Sequence, residues 1–271
     1  MNTIGRAIWL LSLVLAVCGA SPGAGIDVIS DLTQEAVLQP GGRKEGKIIL
    51  RNTTDTPVEV KVFQTDYVFR CDGSNSYDKP GSCPRSNASW IAFSPQQFSL
   101  PPREVLVVYY TIQAPKDDKL SGTYWSMLMV EPKPALDPGA TPSEDGKVKV
   151  GIQTILRYGI QMVVHIGNTG RREIKVLDKR LAAVDGKRAL QLDIENIGEK
   201  WVRPTVWAEI YDEAGSHAGR FKCNRTRIFP GCSTRNSIDL SGLKAGNYQA
   251  LVVIDNGDES VWGAQYALEI K

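Results

Sequence analysis

The amino-acid sequence predicts an all-β protein that consists of two β-sandwich domains. Short segments in which apolar and polar residues alternate dominate the chain, whereas long stretches with helical spacing of apolar residues are hard to find. Clusters of Gly, Pro, Asn and Asp separate these segments at short intervals, as turns do in β-sandwiches. The length of 271 residues fits two domains of ordinary size.

The first 20 residues have the features of a cleaved signal peptide. Arg6 adds positive charge, residues 7–17 are almost wholly apolar, and Cys18-Gly19-Ala20 supplies small residues for cleavage after Ala20. The sequence therefore predicts export with removal of residues 1–20. Lipidation of Cys18 is an alternative, although the residue before it is bulky. The apolar run is too short for a spanning helix and no later run is longer, so no transmembrane segment is expected in the mature chain.

Residues 21–170 are predicted to form the first sandwich. Residues 47–51 and 58–69 are rich in β-branched and aromatic side chains, and a turn-prone stretch joins them. Residues 104–113 are apolar on both faces, which predicts a central strand. Residues 125–130 form a further apolar strand.

The longest alternating pattern lies at the end of this domain. Residues 132–147 contain Pro, Gly and polar side chains, and they predict a mobile loop. From residue 148 to residue 166, apolar side chains then recur at almost every second position, and the opposite face is mostly polar or small. At about 3.3 Å per residue this stretch would reach about 60 Å, roughly three times an ordinary strand. One sandwich cannot bury it all.

Residues 171–271 are predicted to form the second sandwich, after a turn and hinge at residues 167–170. Turn signals divide this region into short strands over about 100 residues, which is typical of an immunoglobulin-like sandwich. The predicted strands are residues 174–177, 190–194, 206–211, 220–228, 236–240, 249–254 and 264–270.

Four cysteines remain after the predicted cleavage, and four allow three pairings. Cys71 and Cys83 enclose one short polar stretch, and Cys223 and Cys232 enclose another. A zinc site would require closer spacing within each pair. The sequence therefore predicts two local disulfides, 71–83 and 223–232, each clamping a hairpin or its loop in an oxidising compartment.

The charge balance and the scarcity of catalytic side chains exclude several classes of function. The 32 basic and 30 acidic residues leave a net charge of +2, too small for the broad positive field that nucleic-acid binding needs. Only two histidines occur, and no nucleophile elbow or phosphate loop is present. We therefore expect no enzyme activity, no catalytic residues, no metal site and no cofactor.

In this arrangement the chain resembles the periplasmic chaperones of pilus assembly. Residues 93–104, with Phe-Ser-Pro and then Phe-Ser-Leu-Pro-Pro-Arg-Glu, resemble the proline-flanked segment that enters a strand in this family. Pro115, Gly122 and Tyr124 echo the family pattern P-x-x-x-x-x-G-x-Y. Residues 148–160 are similar to its donor strand.

The resemblance implies a periplasmic chaperone that lends an edge strand to pilin-like or surface-protein subunits, with an outer-membrane usher as a further partner. Val148, Val150 and Ile152 would enter a groove of the subunit, and residues 156–164 would stay in the chaperone's own core. Arg157 matches one of two basic residues that hold the subunit's terminal carboxylate in this family. The second position falls near Glu35, which would repel a carboxylate. The alternative is a secreted adhesive or structural immunoglobulin-like module.

Overall fold

The structure, a computed structural model, describes residues 25–133 and 155–270. The predicted signal peptide, Cys18 and the three predicted groove-filling residues Val148, Val150 and Ile152 lie outside the described residues. Within the described ranges no helix is long and apolar enough to cross a membrane.

Seventeen strands and one short 3-10 helix (Ala88–Trp90) make up the described chain. The strands are β1 (Ile26–Val28), β2 (Thr33–Leu38), β3 (Arg43–Asn52), β4 (Val58–Phe69), β5 (Asn75–Asp78), β6 (Ile91–Ser94), β7 (Gln97–Leu100), β8 (Val105–Gln113), β9 (Gly122–Pro132), β10 (Tyr158–Ile166), β11 (Ile174–Val184), β12 (Lys187–Asn196), β13 (Thr205–Asp212), β14 (His217–Lys222), β15 (Ser233–Asp239), β16 (Gly246–Asp255) and β17 (Val261–Ile270).

The first sandwich packs two sheets around one core. One sheet has the order β1-β3-β8-β6, and the other has the order β2-β10-β9-β4-β5, with β7 also paired to β4. The two sheets bury alternate side chains against each other, as period-two patterning requires. Core residues from both sheets include Ile48, Leu50, Val108, Ile112, Leu128, Val130, Ile160 and Met162.

The predicted central strand, β8, is confirmed in its position within the sheet. β8 lies between β3 and β6, but only one of its faces is covered by the core. On the other face Tyr109 is 65% exposed and Val105 is 47% exposed. Apolar residues on both faces therefore did not mean burial on both faces here.

The second sandwich packs sheet β11-β12-β15 against sheet β14-β13-β16-β17. Each predicted segment of this region contains a strand, which confirms the all-β prediction. The strand predicted over residues 220–228 ends early, at Lys222. Ile228 instead forms an isolated bridge with Val202. Core residues include Leu190, Leu192, Ile194, Val206, Ala208, Ile210, Ile238 and Val252.

Aromatic residues pack the two sandwiches together. The ring of Trp125 on β9 stacks on Phe229 of the second sandwich, with centroids 4.9 Å apart and planes 10° apart. The indole N–H of Trp125 donates to the Tyr67 carbonyl at 2.9 Å. Trp125 and the fully buried Val163 of β10 belong to the same apolar cluster as the second core. Apolar side chains from both sandwiches thus pack against each other at their junction.

Neither predicted disulfide is present, because all four cysteines are free thiols in the structure. Cys71 follows β4 and lies at the turn of the β4–β5 hairpin. Cys83 lies near the opposite, open end of this hairpin, where its N–H donates to the Asp66 carboxylate at 2.7 Å. In the second sandwich, the Cys223 sulfur lies 3.8 Å from Asn236 Oδ1. Cys232 directly precedes β15, and Asn236 lies four residues further along, about 13 Å away in an extended chain. Cys223, which lies beside Asn236, is therefore too far from Cys232 for a disulfide.

Candidate functional site

Strand β10 is paired on both sides over only part of its length. It pairs with β9 in antiparallel orientation from Tyr158 to Ile166. It pairs with β2 in parallel orientation only from Gln161 onward. Among the described residues, the second edge of β10 over residues 158–160 therefore has no strand partner. Such an edge presents unpaired backbone groups that another strand can bind.

Side chains of β10 alternate between two buried environments. Ile160, Met162, Val164 and Ile166 enter the first core, and each is at most 1% exposed. The opposite face was predicted to be polar or small, and this is correct for Gly159 and Gln161. Further along the strand this face does not lie in solvent, because the second sandwich covers the fully buried Val163 and the 7% exposed His165.

The predicted 19-residue strand is shorter in the described residues. Residues 155–157 are not in a strand. Ile155 and Leu156 are 44% and 45% exposed, so Leu156 does not begin the face retained in the core, as the sequence predicted. Two large apolar side chains instead lie in solvent directly before the free edge of β10. We name residues 155–160 the edge segment.

Arg157 lies within the edge segment and is already engaged. Its guanidinium forms an ion pair with Glu131 of β9 at 2.7 Å, and its side chain is half exposed. The same guanidinium lies 5.9 Å from the centre of the Phe63 ring. Arg157 therefore sits at the solvent-facing rim of the β-sheet.

Glu35 and Arg157 are not brought together. Glu35 lies on β2 opposite Val163, and Val163 is six residues beyond Arg157 along the chain. In an extended chain this is a separation of about 20 Å. One terminal carboxylate therefore cannot touch both positions.

Glu35 instead joins a small ionic cluster between the two sandwiches. One of its oxygens lies 2.6 Å from His165 Nε2, and the other lies 3.3 Å from the guanidinium of Arg227. Burial opposes the ionisation of Glu35, but the hydrogen bond with His165 and the charge of Arg227 outweigh it and lower its pKa. The pKa of His165 is also lowered, mainly by burial and against the opposing effect of Glu35.

Sequence reasoning missed the second-domain members of this cluster. Arg227 lies 4.4 Å from the centre of the Trp201 ring, and its partner Glu35 is 192 positions away in the chain. Lys200 is only 7% exposed, and its ammonium donates to Asn168. No local pattern marks such residues, because only the packing of the two sandwiches brings them together.

Within residues 25–133 and 155–270, no group of three or more His, Cys, Asp or Glu side chains could hold a metal ion. No protein-family model matches the sequence, and no curated protein matches it. The comparison with solved structures finds similar folds.

Three solved structures illustrate this similarity. A chain from the chaperone–tip adhesin complex of CFA/I fimbriae is 12% identical, with a TM-score of 0.48, over 90% of this chain and 98% of its own. A chain from the CsuC–CsuE chaperone–tip adhesion subunit pre-assembly complex of Acinetobacter baumannii is 13% identical, with a TM-score of 0.43 over 91% and 98%. The E. coli chaperone DraB is 15% identical, with a TM-score of 0.42 over 91% and 96%. Many structures similar to this chain are thus periplasmic chaperones of pilus assembly, at low sequence identity.

Proposed function

We propose that this protein is a periplasmic chaperone that binds pilin-like or surface-protein subunits by lending them the edge of β10. The observation that carries the proposal is the edge segment, where the strand has a partner on only one side among the described residues. A subunit strand can add to this edge through backbone hydrogen bonds, while alternate side chains fill its pockets.

Apolar side chains at this edge supply the second requirement for strand addition. Ile155 and Leu156 are large and exposed. The alternation continues in the sequence to Ile152, Val150 and Val148, which lie outside the described residues. We assign these three residues to the subunit's groove, as the resemblance implies.

Arg157 is assigned a role at the rim of the same site. Its side chain is half exposed, so a carboxylate on the subunit can reach the guanidinium and compete with Glu131 for it. The resemblance implies a second basic residue that also holds the subunit's carboxylate. This chain has no counterpart for that residue, because the acidic Glu35 occupies the position and is held by His165 and Arg227.

Site-specific crosslinking tests the proposal. We would replace Leu156 with a photo-crosslinking amino acid, irradiate cells that express the tagged chain, and identify the attached proteins. A matched control carries the same amino acid at Leu177, which is 44% exposed on β11 of the second sandwich. We expect subunits to be attached at position 156 and not at position 177.

The double substitution Val150→Asp and Ile152→Asp supplies the second arm. It adds two charges to side chains that would have to enter an apolar groove, and so it should abolish co-purification of the subunits. If the double variant captures the same subunits as the parent, donation through this edge is wrong. Attachment at both crosslinking positions would instead indicate unspecific contact and contradict the assignment.

Export is tested by the mass of the mature chain recovered from the periplasmic fraction. Cleavage after Ala20 gives a chain that begins at Ser21. A lipid-modified Cys18 at the N-terminus would instead support anchoring to a membrane. An outer-membrane usher is expected among the crosslinked partners of the subunit-loaded chaperone.

A further inference from the structure

The second sandwich has four edge strands among the described residues, because both of its sheets are open. β11 and β15 are the edges of one sheet, and β14 and β17 are the edges of the other. An edge strand exposes backbone N–H and C=O groups to which a foreign strand can pair, and proteins usually protect it with short length, charged side chains or a bulge.

Three of these four edges carry such protection. β14 has only six residues, and its register with β13 shifts between Ile210 and Tyr211. β15 has seven residues and carries Arg235 and Asp239. β11 is long, but its register with β12 also shifts. Its charged side chains are Lys175, Asp178, Lys179 and Arg180.

β17 is the edge without this protection. It runs over ten residues and pairs with β16 along its whole length without a register shift. Glu269 is its single charged side chain, and it contains no proline. Among the described residues β16 is its only strand partner. A long, regular and almost uncharged edge of this kind is suited to pairing with another strand.

The interior side of this edge is incompletely covered where β17 faces β11. The Lys179 ammonium lies 3.7 Å from the centre of the Tyr266 ring across this gap. Leu181 of β11 lies opposite the buried Leu190 and so faces the second core, yet it is 41% exposed. Together with Tyr266 and Leu268, it lines a cavity of about 250 Å³. We name this gap between β11 and β17 the seam.

We propose that β17 is a self-association edge, which pairs in antiparallel orientation with β17 of a second copy of this chain. The two four-stranded sheets then join into one sheet of eight strands. A two-fold axis at Gln265 sets this residue opposite the same residue of the second copy. In this register Gly263 lies opposite Ala267, and Val261 lies opposite Glu269, of the second copy.

The charge of β17 favours a second copy as the occupant. Each strand contributes only Glu269, which lies four residues from the axis. The two carboxylates are therefore eight residues apart along the paired strands, about 26 Å, which exceeds the screening length of about 10 Å at 0.1 M salt. Self-pairing thus brings no like charges together.

The side chains on the interior face are also self-complementary. Trp262 lies opposite Leu268 of the second copy, and Ala264 lies opposite Tyr266, so each ring meets a smaller side chain. Since Leu268 lines the cavity of the seam, the indole of the second copy comes to lie beside this cavity. Each copy thereby covers the seam of the other.

The lysine at the seam determines where the axis lies. An axis at Tyr266 would set the two Tyr266 rings directly opposite each other. Each ring already has the ammonium of Lys179 at 3.7 Å, so this register would also bring two positive charges together. The axis at Gln265 avoids this repulsion and places two exposed amides, which can hydrogen-bond each other, at the centre of the pair.

Mass measurement of the full mature chain, kept reduced, tests the proposal. The concentration runs from about 1 μM to 1 mM, which covers the dissociation constants of weak and moderate complexes. We expect the mass of one copy at the dilute end and of two copies at the concentrated end. A parent that stays monomeric throughout would overturn the proposal. The inference does not rest on the proposed chaperone function.

Matched lysine variants test the position of the axis. Gln265→Lys sets two lysines directly opposite each other and should weaken dimerisation about fivefold. Gln249→Lys makes the same change at an exposed position of β16, one strand inward, and should leave dimerisation unchanged. Equal dimerisation by the parent and Gln265→Lys, or equal weakening by both variants, would contradict the register.

Matched cysteine variants give a readout of contact. Facing residues of an antiparallel pair are about 4.5–5.5 Å apart, so Gln265→Cys should form a covalent dimer on mild oxidation. Gln249→Cys should not, because the two copies of β16 would be about 14 Å apart. If Gln265→Cys forms no more dimer than Gln249→Cys and the parent, or is linked in cells only to a different protein, the second copy is not the occupant.

Discussion

The two halves of β10 differ in the number of strands that pair with them. From Gln161 to Ile166 the strand lies between β2 and β9, with one face in the first core and the other against the second sandwich. From Tyr158 to Ile160 only β9 pairs with it among the described residues, and it follows the exposed Ile155 and Leu156. One strand thus combines a fully enclosed half with a half that offers an edge.

This difference separates stability from binding along one continuous sequence. The enclosed half has satisfied its hydrogen bonds and buried its side chains, so changes there act on folding. The edge half has backbone groups still available to a partner, and the exposed Ile155 and Leu156 directly precede it. Substitutions in the two halves should therefore have opposite signatures.

Substitution of Met162 by alanine should have the largest effect on stability. Met162 is fully buried in the first core, so its removal should lower the free energy of unfolding by about 2–5 kcal/mol. Urea denaturation measures this change. The matched Leu156→Ala variant, in the edge segment, should stay within about 0.5 kcal/mol of the parent. Equal losses in the two variants would show that the halves do not differ.

A valine at Gly159 tests whether the edge half is tightly packed on its β9 side. A Cβ at this position would lie 2.3 Å from Met127 Cε, so the methionine must move. We expect a loss of only about 1 kcal/mol in unfolding free energy, because the displaced atom is the flexible end of a side chain, and we expect part of it to be recovered when Met127→Ala is added. Lack of any recovery in the double variant would argue against this contact as the cause.

Acidification should weaken the enclosed half through His165. Burial lowers the pKa of His165 in the folded chain below the usual 6.5. At a pH between the folded pKa and 6.5, the unfolded chain therefore binds more protons than the folded chain. Stability should therefore be complete above pH 6.5 and fall as the pH drops through the folded pKa, by at most about 1.4 kcal/mol per pH unit.

The variant His165→Gln provides the control for this pH effect, since it should show no such loss between pH 6.5 and 5. A further loss below pH 4.5 is expected in the parent, because the lowered pKa of Glu35 stabilises the fold only while that carboxylate is ionised, and this loss should be smaller in the variant because His165 is the first of the groups that lower this pKa. Parallel stability curves for parent and variant from pH 7 to 5 would refute the assignment to His165.

Removal of the Arg157 side chain should change stability least. The Arg157 side chain is half exposed and Glu131 keeps contact with solvent, so Arg157→Ala should cost about 0.5 kcal/mol or less in thermal unfolding. The same variant should reduce the yield of subunits crosslinked at position 156. If stability falls as much as in Met162→Ala, Arg157 supports the core and is not a rim residue.

Some of the site was readable from the sequence because strand structure is local. Alternation over residues 158–166 reflects side chains that point to opposite faces, so both the strand and its core face from Ile160 to Ile166 could be predicted. The extent of the neighbouring strand β2 could not be predicted. It depends on the register of a parallel pair whose members are more than 120 residues apart.

Burial of the outward faces shows the same limit. Tyr109 and Val163 both occupy apolar positions on the second face of an alternating strand. Tyr109 is 65% exposed, whereas Val163 is fully buried. The difference arises because the second sandwich packs against β10, and no described element covers Tyr109 to the same degree.

The sequence by itself determined the all-β class, the strands and the turns, because these depend on side-chain period and on residues that favour turns. Only the tertiary structure decided which strand edge stays open, which aromatic rings stack and which charges pair. Trp125 stacks on Phe229, and Glu35 meets Arg227, because two folded sandwiches pack against each other. Such contacts join residues far apart in the chain, and no local pattern encodes them.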